Sequence, residues 1–164
     1  MNASRYNALF LCTGNSARSI MAEALMNQKG APNVTAYSAG SHPTGVVRAE
    51  ALRQLTEAHV PTTGLRSKSW DEFARPGAPR IDFVFTVCDN AAQEVCPLWP
   101  GQPMTAHWGI PDPAAVKGTE ENVRKAFRDA FFLLDRKISL FLSLPMPGMD
   151  RLALKKRLEE IGRS

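Results

Sequence analysis

A short apolar run, Tyr6 to Leu11, leads straight into Cys12-Thr13-Gly14-Asn15-Ser16-Ala17-Arg18-Ser19, and a segment with helical spacing follows from Ser19 to about Lys29. This succession constrains the fold more than any other feature. A short strand that is apolar throughout is buried on both faces, as in a parallel sheet covered by helices. A parallel neighbour must then be reached through a crossover, which is right-handed. The turn between strand and helix falls at the carboxyl edge of the sheet, where open α/β folds bind ligands.

The rest of the chain repeats the alternation. Val34 to Ser38 predicts a second strand, and Val46 to His59 a helix with Val47, Ala51, Leu55 and Ala58 on one face. Ile81 to Val87 predicts a third buried strand. The stretch from Pro97 to Pro113 is rich in proline and glycine and leaves room for one short strand near Met104 to His107. Thr119 is a good N-cap, with Glu120 and Glu121 in the first turn behind it. Val123, Phe127, Phe131, Leu134, Ile138 and Phe141 form one apolar stripe, read as core rather than as a ligand box. Pro145 to Gly148 breaks the pattern, and Asp150 caps a last helix carrying Leu154, Leu158 and Ile161. The expectation is an α/β fold of three αβα layers around a central four-stranded parallel sheet. We expect residues 1–145 to form the domain and residues 146–164 a helical extension of it.

Composition excludes several classes. The balance of 44% hydrophobic and 22% charged residues is that of a globular chain. No apolar run approaches the roughly 20 residues of a membrane helix, and the first residues lack the features of a secretory signal. The expected location is the cytoplasm. The net charge of +4 is scattered apart from Lys155, Lys156 and Arg157, which have Glu159 and Glu160 beside them. That is a solvated helix face and not a nucleic-acid surface, although a positive balance helps draw in anions.

The loop from Cys12 carries the chemistry. A helix N-terminus offers unpaired N–H groups and the positive end of a dipole, and a loop curled around it makes an anion nest. The oxyanion-binding set is Thr13, Gly14, Asn15, Ser16, Ala17, Arg18 and Ser19. Gly14 and Asn15 tolerate unusual backbone angles. Arg18 can hold two oxygens of a tetrahedral oxyanion at once, as lysine cannot. The same field favours thiolate and predicts a Cys12 pKa depressed into the ~3.5–7.5 range. The hydroxyls of Ser16 and Ser19 are further donors to the sulfur. The loop thus binds an oxyanion and aims a nucleophile at its central atom.

CTGNSARS resembles the active-site loop of the low-molecular-weight protein tyrosine phosphatases and of the arsenate reductases that share their fold. Ser19 to Ala24 and Ser38-Ala39-Gly40-Ser41 are similar to the same family. His107-Trp108-Gly109-Ile110-Pro111-Asp112-Pro113 resembles its thioredoxin-coupled reductase branch. The resemblance covers most of residues 6 to 142. It implies that Cys12 attacks an arsenate or phosphate-like oxyanion and that Asp112 is the general acid; the bland reading of Asp112 is a turn aspartate before proline.

It also gives a use to the three cysteines, Cys12, Cys88 and Cys96. An odd count in a reducing compartment is no disulfide framework. Cys88 follows the Ile81–Val87 strand and so falls on the same edge of the sheet as Cys12. In the reductase branch it attacks the Cys12 sulfur and releases arsenite, and Cys96 then resolves the disulfide by exchange. Cys88 and Cys96 stand one residue further apart here than in that branch. Thioredoxin, glutaredoxin or a low-molecular-weight thiol supplies the electrons, and no cofactor is implied. Some relatives hold potassium near the positions of Asn15, Glu23 and Ser38, but the acidic residue expected near Ser69 is absent. His42 and His107 match no role, and Trp108 is expected to pack the acid loop. The alternatives are a phosphatase for phosphotyrosine or small phosphoesters, and a metalloid-binding module. Neither Tyr6 nor Tyr37 lies near Asp112 to form a phosphotyrosine wall, and a soft-metal binder needs neither Arg18 nor Asp112.

Overall fold

Apolar residues with few competing polar partners set the frame. A computed structural model describes residues 5–88 and 102–164. The strands are β1 (Tyr6–Leu11), β2 (Val34–Ala39), β3 (Phe83–Thr86) and β4 (Met104–His107), and the helices are α1 (Arg18–Gly30), α2 (Ala49–Glu57), α3 (Glu120–Leu142) and α4 (Arg151–Arg163). Among the described residues none of the helices is long and apolar enough to cross a membrane. The sheet runs β2-β1-β3-β4 with every neighbour parallel. From β1 the chain crosses to β2 on one side, and β3 then pairs with β1 on the other. The carboxyl ends of β1 and β3 therefore flank a topological switch point, the ligand crevice of such sheets.

Packing follows the apolar stripes. Helices α1, α2 and α3 contact one another, α1 also packs on β1 and β2, and α4 packs on β4 and α3. The stripe of α3 is core, with Phe127, Phe131, Leu134, Ile138 and Phe141 buried. Phe141 meets Phe83, Phe85 and Trp108 edge-on, and Trp108 stacks on Phe85 with ring centroids 3.8 Å apart. Trp108 thus belongs to the core more than to the acid loop it was expected to brace. Its Nε1–H donates to Leu158 O at 3.0 Å, which ties α4 to the end of β4. From α3, the buried Lys137 ammonium donates to the carbonyls of Ile161, Gly162 and Ser164 at 3.1–3.2 Å. A cation there satisfies the orphan carbonyls and the negative dipole end of α4.

The caps are where the sequence put them. Thr119 accepts from Asn122 N–H, and Asp150 accepts from Ala153 N–H. One boundary differs. Helix α2 begins at Ala49, not Val46, and Val46 is exposed. The reason is tertiary. His42, Thr44 and Arg48 give their N–H groups to Thr13 O, Gly14 O and Ser16 O at 2.9–3.0 Å, so this segment is extended along the Cys12 loop instead of helical.

Replacing Trp108 by Phe keeps the stacking and removes the indole donor from a buried site. We expect a loss of about 1–3 kcal/mol in unfolding free energy by urea titration; an unchanged midpoint would mean the Trp108–Leu158 bond contributes nothing.

Candidate active site

The loop is shaped from outside. The C=O and N–H of a trans peptide point in opposite directions. The outward carbonyls of Thr13 and Ser16, held by His42 and Arg48, therefore turn the N–H groups of Gly14 and Ala17 inward. Gly40 lets the wall approach closely. A Cβ there would overlap the carbonyl oxygens of Cys12 and Thr13, so glycine is required. Helix α1 starts at Arg18 with Ala17 at its N-cap, no side-chain cap and no acid in its first turn. Its first N–H groups and dipole end are thus left for an anion.

Two amides of the loop are engaged within the protein. Asn15 N–H donates to Cys12 O at 3.2 Å, and Thr13 N–H points at Cys88 Sγ at 3.4 Å with its hydroxyl 3.7 Å from the same sulfur. The Thr13 and Asn15 amides thus have partners within the protein, and no such backbone partner is seen for Gly14, Ser16, Ala17, Arg18 or Ser19 N–H among the described residues. The Ser19 hydroxyl is buried and accepts from Asn15 Nδ2 at 2.8 Å. Across the crevice, Arg18 Nη1 donates to Ile110 O at 3.0 Å, and its Nη2 lies 3.7 Å from Asp112 Oδ2. Asp112 also caps the turn at Pro113–Ala115 by accepting from Ala114 N–H. The segment carrying Ile110 and Asp112 is pinned to β3 by Trp108 N–H to Thr86 O and Ile110 N–H to Val87 O. His107 bonds Thr86 and His42 bonds Ser41, both outside this constellation.

Cys12 and Cys88 are both buried thiols. They meet because Leu11 and Thr86 are register partners on adjacent parallel strands, so each chain leaves the sheet at the same height. The expected depression of the Cys12 pKa is corrected. A hydrogen bond with Cys88 and, after it, burial push the Cys12 thiol well above its usual range, and the Arg18 guanidinium pulls it down without prevailing. Cys96 lies outside the described residues.

Behind the loop, Asn15, Glu23 and Ser38 do come together, but not as a potassium cage. Asn15 turns Nδ2 toward Ser38 Oγ (3.0 Å), because its Oδ1 accepts from Lys68 N–H at 2.8 Å. The Lys68 ammonium lies 3.6 Å from Glu23 Oε1, so that carboxylate already faces a cation of the protein's own. The donor set therefore does not fit a potassium ion. Burial pushes the Glu23 carboxyl up and the Lys68 ammonium down, and each partner's charge opposes the other's shift. Lys68 gave no signal in the sequence beyond the missing acid next to it. Among the described residues no cluster of His, Cys, Asp and Glu could hold a metal.

Residues 7–155 match the model of the low molecular weight phosphotyrosine protein phosphatases. The chain belongs to that family. Within it, the chain is 33% identical to an arsenate reductase of Oceanobacillus iheyensis over 80% of its length and 91% of the relative's. It is 38% identical to an arsenate reductase of Bacillus subtilis over 68% and 77% of the two chains. The fold matches a solved arsenate reductase in its phosphate-binding state with a TM-score of 0.69 at 22% identity, covering 84% of this chain and 97% of that one.

The pKa of Cys12 is measurable from the pH dependence of its alkylation by iodoacetamide, read on the Cys12 peptide by mass spectrometry. Cys88→Ala removes the largest cause of the rise and shifts the midpoint to lower pH, and Arg18→Met shifts it to higher pH. A midpoint unmoved by Cys88→Ala would show that the two sulfurs do not share a proton.

Proposed function

We propose that this chain reduces arsenate to arsenite through Cys12 and a relay of thiols. The observation that carries the reading is a second free, buried thiol, Cys88, which accepts from Thr13 N–H at 3.4 Å and hydrogen-bonds Cys12. Hydrolysis of a phosphoester needs no second sulfur there, whereas delivering two electrons to arsenic needs one.

The residues divide the work. The inward amides, the α1 dipole and Arg18 hold the oxygens of hydrogen arsenate. The Cys12 sulfur attacks arsenic in line, an As–O bond breaks, and the oxygen leaves as water. Asp112, beside Arg18 and close enough to raise the Cys12 thiol, passes the thiol's proton to that oxygen. Cys88, as thiolate, then attacks Cys12 Sγ. The S–S bond forms while the S–As pair stays on arsenic, which departs as arsenite and takes up protons from solvent. One disulfide is made and arsenic falls from the +5 to the +3 state.

Cys96 then attacks Cys88 Sγ and frees Cys12 as thiolate, leaving a Cys88–Cys96 disulfide for an external dithiol to reduce. Thioredoxin is the donor most in keeping with a relay of this order; glutaredoxin or a small thiol would serve if Cys96 were idle. Such chemistry belongs in a reducing compartment, and the cytoplasm is our assignment.

An arsenate turnover assay with each donor tests this. Cys12→Ser and Cys88→Ser abolish turnover, and Asp112→Asn lowers kcat by about 10²-fold or more. Cys96→Ser loses thioredoxin-linked turnover; retention of full activity would remove Cys96 from the relay. Brisk cleavage of p-nitrophenyl phosphate without arsenate consumption would assign the site to phosphoester hydrolysis.

A further inference from the structure

Lys68 is a buried cation on an extended segment after α2, and it reaches the oxyanion loop by two routes. Its backbone N–H donates to Asn15 Oδ1, and its ammonium pairs with Glu23 and donates to Arg66 O at 2.8 Å. The links between these ends are continuous. Asn15 Nδ2 donates to Ser38 Oγ at 3.0 Å, and Ser38 Oγ donates to Glu23 Oε1 at 2.5 Å. That same Glu23 oxygen faces the Lys68 ammonium. The path from Lys68 N–H through Asn15, Ser38 and Glu23 back to Lys68 Nζ is a closed ring around buried atoms. Asn15, Ser38 and Lys68 are each under a tenth exposed.

The ring holds the part of the loop that most needs holding. Asn15 has φ +45°, a left-handed conformation that a side chain disfavours unless its surroundings fix it. Its amide orientation is set without ambiguity, because Lys68 N–H can only donate. Asn15 in turn fixes Gly14, whose N–H faces the anion. The Lys68 backbone carbonyl accepts from Gly40 N–H, the glycine on which the Cys12 and Thr13 carbonyls rest.

We infer that the Lys68 ammonium is a tethered replacement for an exchangeable cation behind the loop, and that Lys68 is a positioning residue for oxyanion binding. A tethered cation is present at unit occupancy, so the loop is ordered whatever the salt. The inference depends on the loop binding an oxyanion and not on what reduces it, so inorganic phosphate serves as the probe.

The experiment measures phosphate affinity by calorimetry and the thermal midpoint by circular dichroism, in potassium chloride and in choline chloride at equal ionic strength. The natural protein gives the same values in both salts. Lys68→Met binds phosphate about tenfold more weakly in choline, since a displaced loop misplaces its donors. Potassium restores both affinity and midpoint, because Glu23, Ser38 and the vacated space can then take the ion. Glu23→Gln with Lys68→Met leaves no isolated buried charge and so guards against simple unfolding; it binds phosphate as weakly as Lys68→Met and potassium does not restore it. A potassium response in the natural protein overturns the inference. So does a Lys68→Met protein that binds phosphate normally in choline or ignores potassium, and so does a double variant with normal affinity. Loss of arsenate reduction with these results intact would bear on the reductase reading alone.

Discussion

Backbone hydrogen bonds from His42, Thr44 and Arg48 to the carbonyls of Thr13, Gly14 and Ser16 hold the Cys12 loop by its outer rim, and the site depends on them. They cost the chain the first turn of a helix that its apolar pattern would support. In return the captured Thr13 and Ser16 carbonyls leave the Gly14 and Ala17 amides facing inward, where α1 adds its own unpaired N–H groups. The wall comes this close because Gly40 has no side chain. An anion site built this way uses backbone dipoles that need no reorganisation when the ligand enters.

The sheet supplies the second element. Parallel neighbours in register deliver Cys12 and Cys88 to one place, where the hydrogen bond with Cys88 and then burial work against a free charge on Cys12. Thr13 connects the two functions, since it belongs to the loop by sequence and donates to Cys88 by geometry. Arg18 is held over the crevice by Ile110 O and Asp112, with its side chain 14% exposed against 44% for Asp112. The acid is therefore at the solvent side of the pocket and the guanidinium inside it. That order suits a bound oxyanion whose leaving oxygen points outward.

Much of this was legible in the residues. The β1 run, the Cys12–Arg18 spacing, the α3 stripe and the Thr119 and Asp150 caps are local patterns, and local physics decides them. What was not legible depends on contacts between distant segments. The true start of α2 is fixed by Ser16 O, the burial of Trp108 by α4, and the direction of the Cys12 pKa shift by a sulfur 76 positions away. Lys68 is the clearest case. Between Ser67 and Ser69 it reads as an ordinary surface lysine, and only the fold closes its ring with Asn15, Ser38 and Glu23. The resemblance to a known family pointed to that place and to potassium only in some relatives, with the acid near Ser69 missing here.

In the proposed reaction arsenic receives its electrons from the Cys12–Cys88 pair. This is tested most directly in a single turnover with the Cys96→Ser protein, fully reduced, freed of reductant and mixed with one equivalent of arsenate. One equivalent of arsenite and the loss of two thiols are expected, with a disulfide-linked pair of peptides containing Cys12 and Cys88 in the digest. Arsenate recovered unchanged with both thiols intact, or arsenite formed without that linked pair, would contradict it.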